Sequence, residues 1–292
     1  MARSALLVFL LIASGAVAAE DSEVRKTWDG ATVEVLVDGV AVRGAMAGKR
    51  VQDGLAKLPP GVRLPTIIYA HGCTGLTSRA SSLFSKLAQR GFVVIAPDSF
   101  ARPGRVSLCG ARSAQRAMIR LRVEEMRYAA HQVQNAPWAD PDNLFLLGQS
   151  EGGWTVTSYG GDEFKARIAS GTGCRRIRGS TPLLVVNFGN DPWLTRGDSC
   201  GGVADDYLKI PGKEHWPWTR FEAKKKLTRF LAEHSDIRSE PEVVARSDND
   251  ITIRRKAFLQ DVPDVAEAHC ATFGKKRSFK SEADGVLTYS CK

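Results

Sequence analysis

Three features are missing from this chain, and each absence narrows what it does. No apolar run is long enough for the roughly 20 residues that a transmembrane helix needs. The N-terminal run from Ala5 to Ile12 falls well short of that and has no stop-transfer flank. No two cysteines stand in the Cys-x-x-Cys spacing of a zinc site, so no metal is expected. Nucleic-acid-binding motifs are also lacking. The positive charge, +9 overall, is scattered, and runs such as Lys224-Lys225-Lys226 fit the wet face of a helix. Histidine is scarce, with five in 292 residues, so each can be weighed individually.

The apolar run at the N-terminus has a different reading. Arg3 precedes it, and small residues follow, ending Ala16-Val17-Ala18-Ala19. This is the pattern of a secretory signal with an A-x-A cleavage site. Cleavage is expected after Ala18 or Ala19, giving an exported, periplasmic or secreted product with no stable membrane span. The net charge would then fall to +8, because Arg3 is the one charged side chain removed. In an oxidising compartment an even number of cysteines reads as a disulfide framework. The six are Cys73, Cys109, Cys174, Cys200, Cys270 and Cys291. Successive pairing, 73 with 109, 174 with 200 and 270 with 291, is expected because each pair then lies within one local region of the fold.

From about residue 66 onward, apolar strand-like runs alternate with helix-like segments. Strands are expected at 66–70, 92–96, 144–147, 167–169, 183–186 and 207–210. Helices are expected at 81–90, 112–134 and 221–234. The long one has Met118, Leu121, Met126 and Ala129 near helical spacing, and Pro137 lies just past its end. Continuous apolar strands separated by helices indicate a parallel sheet covered on both faces. An earlier strand, Thr32 to Val37, alternates in polarity and ends at the Asp38-Gly39 turn, as an antiparallel strand would. Residues 235–250 are polar and read as a linker. Beyond them a strand at 251–259, a helix at 263–273 capped by Asp261 and stopped by Gly274, and a strand at 286–291 make a small α+β module. The expected division is a signal peptide at 1–19, an α/β domain at 20–238, and a linker with a disulfide-stapled module at 239–292. His269 reads as a surface helix residue.

The chemistry concentrates at Gly148-Gln-Ser-Glu-Gly152, directly after the Leu144–Leu147 strand. This is the G-x-S-x-G nucleophile elbow in its strand–turn–helix setting. Ser150 would sit on a strained turn with its hydroxyl above the sheet, and glycines on either side would allow close backbone approach. An acid and a histidine should follow in that order at strand ends. Asp191 stands just past the buried strand at 183–186, and His215 follows the strand that ends at Ile210. Asp198 is a rival for the acid but lies deeper in a loop. His131 and His234 fall on expected helices. The expected triad is Ser150, Asp191 and His215, with His215 as base and Asp191 holding its tautomer. Tyr69-Ala-His-Gly-Cys-Thr-Gly75 follows an early strand, as an oxyanion loop does, so the expected donors are the backbone N–H groups of Cys73 and Glu151.

These residues resemble the α/β-hydrolase superfamily, and within it the dienelactone hydrolase-like family. The resemblance runs from about Thr66 to His234. It rests on Ala70-His-Gly72, Gly91-Phe-Val-Val-Ile-Ala-Pro-Asp98, Gly148-Gln-Ser-Glu-Gly152, Asn190-Asp191 and Pro211-Gly212 before His215. The namesake enzymes use cysteine where this chain has Ser150. The family stretch whose arginine holds a substrate carboxylate reappears as Pro97-Asp-Ser-Phe-Ala-Arg102, which implies a substrate-binding role for Arg102. The second arginine of that clamp, four residues after the histidine, is replaced by Thr219. Trp154, Trp193 and Trp216 lie close in sequence to the triad members and are expected to wall the substrate pocket.

The expected function is that of an exported serine hydrolase acting on a small-molecule ester or lactone, one bearing a carboxylate included. It would work through an acyl-enzyme, without cofactor or metal. An acyltransferase or peptidase would use the same residues. The alternative from another class is a catalytically silent α/β-hydrolase-fold protein of the cell envelope that serves in binding. Oligomeric state is not legible in the sequence.

Overall fold

The computed structural model describes residues 22–37, 39–110, 115–175, 177–195, 199–236, 242–254, 262–283 and 286–292. The expected signal segment, the Asp38 side of the first turn, the start of the long helix at Arg112, the rival acid Asp198, the end of the 251–259 strand and the Asp261 cap lie outside them. The chain divides into two compact units, one ending at Leu227 and one from Thr228 to Lys292.

The first unit is built on an eight-stranded sheet. Its strands are β1 (Thr32–Val37), β2 (Val40–Ala45), β3 (Leu64–Ala70), β4 (Val93–Ala96), β5 (Ala139–Gln149), β6 (Ala166–Ser170), β7 (Leu183–Phe188) and β8 (Asp206–Ile210). Their spatial order is β2-β1-β4-β3-β5-β6-β7-β8. β1 pairs antiparallel with both β2 and β4, and every pairing from β4 to β8 is parallel. The alternating β1 and the continuous apolar runs that follow led to this arrangement. Leu144 to Leu147 of β5 are fully buried, with β3 on one side and β6 on the other. Helices flank the sheet: α1 (residues 22–29), α2 (Lys49–Ala56), α3 (Ser78–Ala88), α4 (Gln115–Gln134) and α5 (Glu151–Ser158). This is the α/β-hydrolase architecture. β2 and α2 were not expected. Val40-Ala-Val-Arg-Gly-Ala45 is an edge strand whose residues are largely exposed, so no apolar run marks it.

One expectation for α4 needs correcting. Leu121 is only half-buried, and the buried stripe runs instead through Met118, Arg122, Glu125, Met126, Ala129 and Val133. Two charged residues thus occupy core positions of this helix.

The second unit holds a four-stranded antiparallel sheet in the order β11-β12-β10-β9. The strands are β9 (Glu242–Arg246), β10 (Asp250–Arg254), β11 (Arg277–Ala283) and β12 (Val286–Cys291). β9 lies inside the expected linker, where flanking charges hid the short Val243-Val244-Ala245 run. It pairs with β10 through Thr252↔Ala245 and Ile253↔Val243. Helix α6 (Val262–Ala271) is followed by a turn that ends at Gly274, whose φ of 67° suits it. The Cys270–Cys291 disulfide ties this helix to β12. By chain entropy alone, closing a loop of that length contributes about 3 kcal/mol, which matters to a unit with so small a core. The Cys73–Cys109 and Cys174–Cys200 bonds lie in the first unit, so the successive pairing is the one observed.

Candidate active site

Ser150 joins the end of β5 to the start of α5 with φ 59° and ψ −119°. It is the one non-glycine residue with positive φ among those described. Such a conformation costs on the order of 1–3 kcal/mol and persists only where the surroundings enforce it. Here the Ser150 N–H donates to the Ser170 carbonyl at 2.9 Å. The glycines leave no room for anything larger. A Cβ at Gly152 would collide with the carbonyl of Ala70 at the end of β3, and one at Gly148 with the carbonyl of Gly152.

Asp191 and His215 follow β7 and β8. The His215 Nδ1–H donates to Asp191 Oδ2 at 2.6 Å, and the Asp191 carboxylate is almost wholly buried. The other carboxylate oxygen accepts the Trp193 N–H at 3.0 Å. Gln149, beside the serine, donates its side-chain amide to the His215 carbonyl at 3.0 Å, fixing the histidine loop to the elbow. With its proton on Nδ1, the imidazole keeps a lone pair on Nε2. That nitrogen has no hydrogen-bond partner among the described residues. His215 and Ser150 line the same cleft.

On the other side of the serine, β3 runs into His71-Gly72-Cys73. The Gly75 N–H donates to the Gly72 carbonyl at 3.1 Å, closing a tight turn. The Cys73–Cys109 bond holds the loop covalently, and the Ser107 hydroxyl donates to the Cys73 carbonyl at 2.9 Å. The ring of His71 is fully buried and stacks on Phe100. Its Nε2 accepts the Ser99 N–H at 3.2 Å, so the ring proton sits on Nδ1 and is given to the Gly72 carbonyl at 2.7 Å. Burial, and then the guanidinium of Arg122, hold the pKa of His71 well below the ordinary 6.5. It is a neutral structural histidine.

Beneath the elbow lies a cluster of charges that sequence reasoning did not anticipate. Glu151 Oε1 receives Arg105 Nη2 at 2.8 Å and Arg122 Nη1 at 3.0 Å. Arg122 Nε is also 3.1 Å from Glu125 Oε2. Glu125 Oε1 accepts from Arg102 Nε and from the Ser99 hydroxyl, each at 3.0 Å. Burial pushes the Glu125 carboxyl up from its usual range, against the pull of Arg122 and Arg102. The available signal was the placement of Arg122 and Glu125 on the apolar stripe of α4, since charges at core positions demand partners.

The cleft has a volume of about 710 Å³. Met118, Ile119, Val123 and Trp154 give it an apolar wall, and Trp193 stands at its edge, 62% exposed, with its ring 5.9 Å from that of His215. Cys73 and Glu151, the expected oxyanion donors, both border it. Four exposed arginines complete the rim: Arg116 and Arg120 from α4, and Arg175 and Arg178 from the segment after β6. Two expected pocket residues lie elsewhere. Arg102 is buried and taken up by Glu125, with Glu23 and Glu124 further out at 3.7 and 3.9 Å, so its guanidinium serves internal carboxylates. Trp216 is buried and does not border the cleft.

A serine raised on a strained elbow between a central parallel strand and a helix, with an Asp–His pair after later strands, is an arrangement that the α/β-hydrolase fold accommodates. Residues 52–168 match the model of the dienelactone hydrolase family. A putative dienelactone hydrolase from Klebsiella pneumoniae is similar in structure, with 16% identity and a TM-score of 0.46, covering 69% of this chain and 96% of that one. A dienelactone hydrolase-like promiscuous phosphotriesterase from metagenomic libraries matches at 17% identity and a TM-score of 0.46, covering 70% and 98%. Esterase PE8 matches at 15% identity and a TM-score of 0.47, covering 60% and 95%. No curated protein matches the chain.

Proposed function

We propose that this protein is an exported serine hydrolase that cleaves small carboxylic esters through an acyl-enzyme on Ser150. The observation that carries the reading is the His215 Nδ1–Asp191 contact of 2.6 Å, which leaves Nε2 unpartnered at the cleft that Ser150 also lines. The serine oxygen attacks the ester carbonyl while His215 Nε2 takes its proton. The carbonyl oxygen becomes an oxyanion facing the backbone N–H groups of Cys73 and Glu151. Collapse of the tetrahedral species expels the alcohol, which receives the proton from His215. Water then attacks the acyl-serine with His215 again as base, and the acid is released.

The rim supports a substrate that carries a carboxylate. Arg116, Arg120, Arg175 and Arg178 give the mouth four positive charges, and Glu151 is the one acid among the lining residues. Its own charge is spent on Arg105 and Arg122. This differs from the family clamp, since Arg102 is occupied inside the fold.

Export is proposed on the signal-like N-terminus. Three disulfides and the lack of a membrane-crossing helix among the described residues are compatible with it. Within that reading, residues 1–19 are removed, 20–238 carry the hydrolase and 239–292 form an accessory module. The test is a hydrolysis screen across acyl lengths, with and without a carboxylate on the ester. Turnover by the wild type that Ser150→Ala abolishes is expected. A folded wild type that hydrolyses no member of the panel would favour a silent binding protein.

A further inference from the structure

The mechanism leaves unexplained why a fully buried arginine occupies the centre of α4. A buried ion pair adds little net stability over a well-packed apolar pair, because taking the charges out of water offsets their attraction. Such a pair does, however, fix the positions of everything bonded to it, since long flexible side chains become locked at several points.

Arg122 lies between the two arms that border the serine. In one direction its Nη1 donates to Glu151 Oε1 at 3.0 Å. Glu151 is the first residue of α5, and Arg105 grips the same oxygen at 2.8 Å. In the other direction the ion pair of Arg122 with Glu125 at 3.1 Å leads to the Ser99 hydroxyl. The Ser99 N–H meets His71 Nε2, and His71 Nδ1–H meets the Gly72 carbonyl, the peptide that precedes Cys73. Arg122 Nη1 also packs 3.5 Å from His71 Nδ1. Because that nitrogen already donates to Gly72, this is a contact and not a second hydrogen bond. The guanidinium therefore touches both chains of bonds at once. We propose that Arg122 is a positioning residue that sets the spacing between the Cys73 and Glu151 backbone N–H groups, holding both aimed at the developing oxyanion. The inference rests on the serine hydrolase reading above.

An oxyanion donor is worth on the order of a hundred-fold or more in rate, and a displacement of about 1 Å can cost a similar factor. The experiment compares Arg122→Met, Glu151→Gln and Arg167→Met with the wild type on an activated ester. Arg167 is the control, a buried arginine that donates only to backbone carbonyls, including those of Tyr159 and Thr181. Readouts are kcat, KM, affinity for a boronic acid that forms a tetrahedral adduct on serine, and the thermal midpoint. For Arg122→Met, kcat falls about a hundred-fold with KM within about threefold, and boronate affinity drops in proportion. Glu151→Gln keeps the shape, removes the charge and lowers kcat about tenfold; it decides the matter if Arg122→Met fails to fold. Arg167→Met lowers the thermal midpoint and leaves kcat within about twofold. The proposal is overturned if Glu151→Gln and a folded Arg122→Met keep near-normal kcat and boronate affinity, or if Arg167→Met loses as much rate as they do. A wild type without turnover would sink the underlying reading instead.

Discussion

Arg120 and Arg122 are two residues apart on α4 and live in different solvents. Arg122 is fully buried beneath the elbow and locked to Glu125 and Glu151, whereas Arg120 stands exposed at the mouth of the cleft with Arg116 one turn away. The same side chain has different effects in the two places, because a charge interacts several times more strongly where water is excluded. On the proposed reading, charges at the floor set geometry, while those at the mouth would supply a field that draws an anion in and that salt screens.

The sharpest way to break this contrast is at the floor. Asp191→Asn should lower kcat on an activated ester by about four orders of magnitude, because the imidazole loses the carboxylate that fixes its tautomer. Circular dichroism should show an intact fold. A loss of less than tenfold would mean that the buried acid is not the orienting group. The mouth should respond more gently. Arg116→Gln combined with Arg120→Gln is expected to raise KM for a carboxylate-bearing ester roughly tenfold, with kcat nearly unchanged and no effect on a neutral ester. In about 1 M salt, where the screening length is about 3 Å, mutant and wild type should converge. Persistence of the difference in high salt would indicate a dry contact rather than a field.

A third prediction concerns stability. The folded state holds His71 neutral, with its pKa depressed by burial and by Arg122 and Arg105, while the unfolded chain protonates near 6.5. Below that pH the unfolded state binds a proton that the folded state refuses. Unfolding free energy should therefore fall by about 1.4 kcal/mol for each pH unit below about 6.5, until the folded pKa is reached. Chemical denaturation between pH 7.5 and 5 should show this slope, and His71→Gln should remove that part of it. Identical slopes in the two proteins would contradict the assignment. The smallest effect is expected at Trp193. Its backbone N–H, which survives substitution, is what holds Asp191. Trp193→Ala should thus alter KM by about threefold or less.

How much of this was legible beforehand follows from what kind of interaction each feature rests on. The β3–β8 strands and the elbow are local: an apolar run, a glycine pair and a serine are contiguous in the chain. Asp191 and His215 were chosen because chain order and strand ends constrain them. The parallel sheet and the three disulfides followed from alternation and from cysteine parity. β2, β9 and β11 were missed because their residues are polar or their apolar runs too short, and such strands are defined by their partners. Arg102 was misassigned for a related reason. A motif reports that an arginine is present, and only packing reveals that Glu125 has claimed it. The buried cluster was the least legible part, since Arg105, Arg122, Glu125 and Glu151 come from three separate stretches of chain.

The most direct measurement is reaction with a fluorophosphonate probe followed by peptide mapping. The account predicts a single phosphonyl adduct on Ser150, absent in Ser150→Ala and formed far more slowly in His215→Ala. A correctly folded wild type that stays unlabelled, or one labelled at another residue, would contradict it.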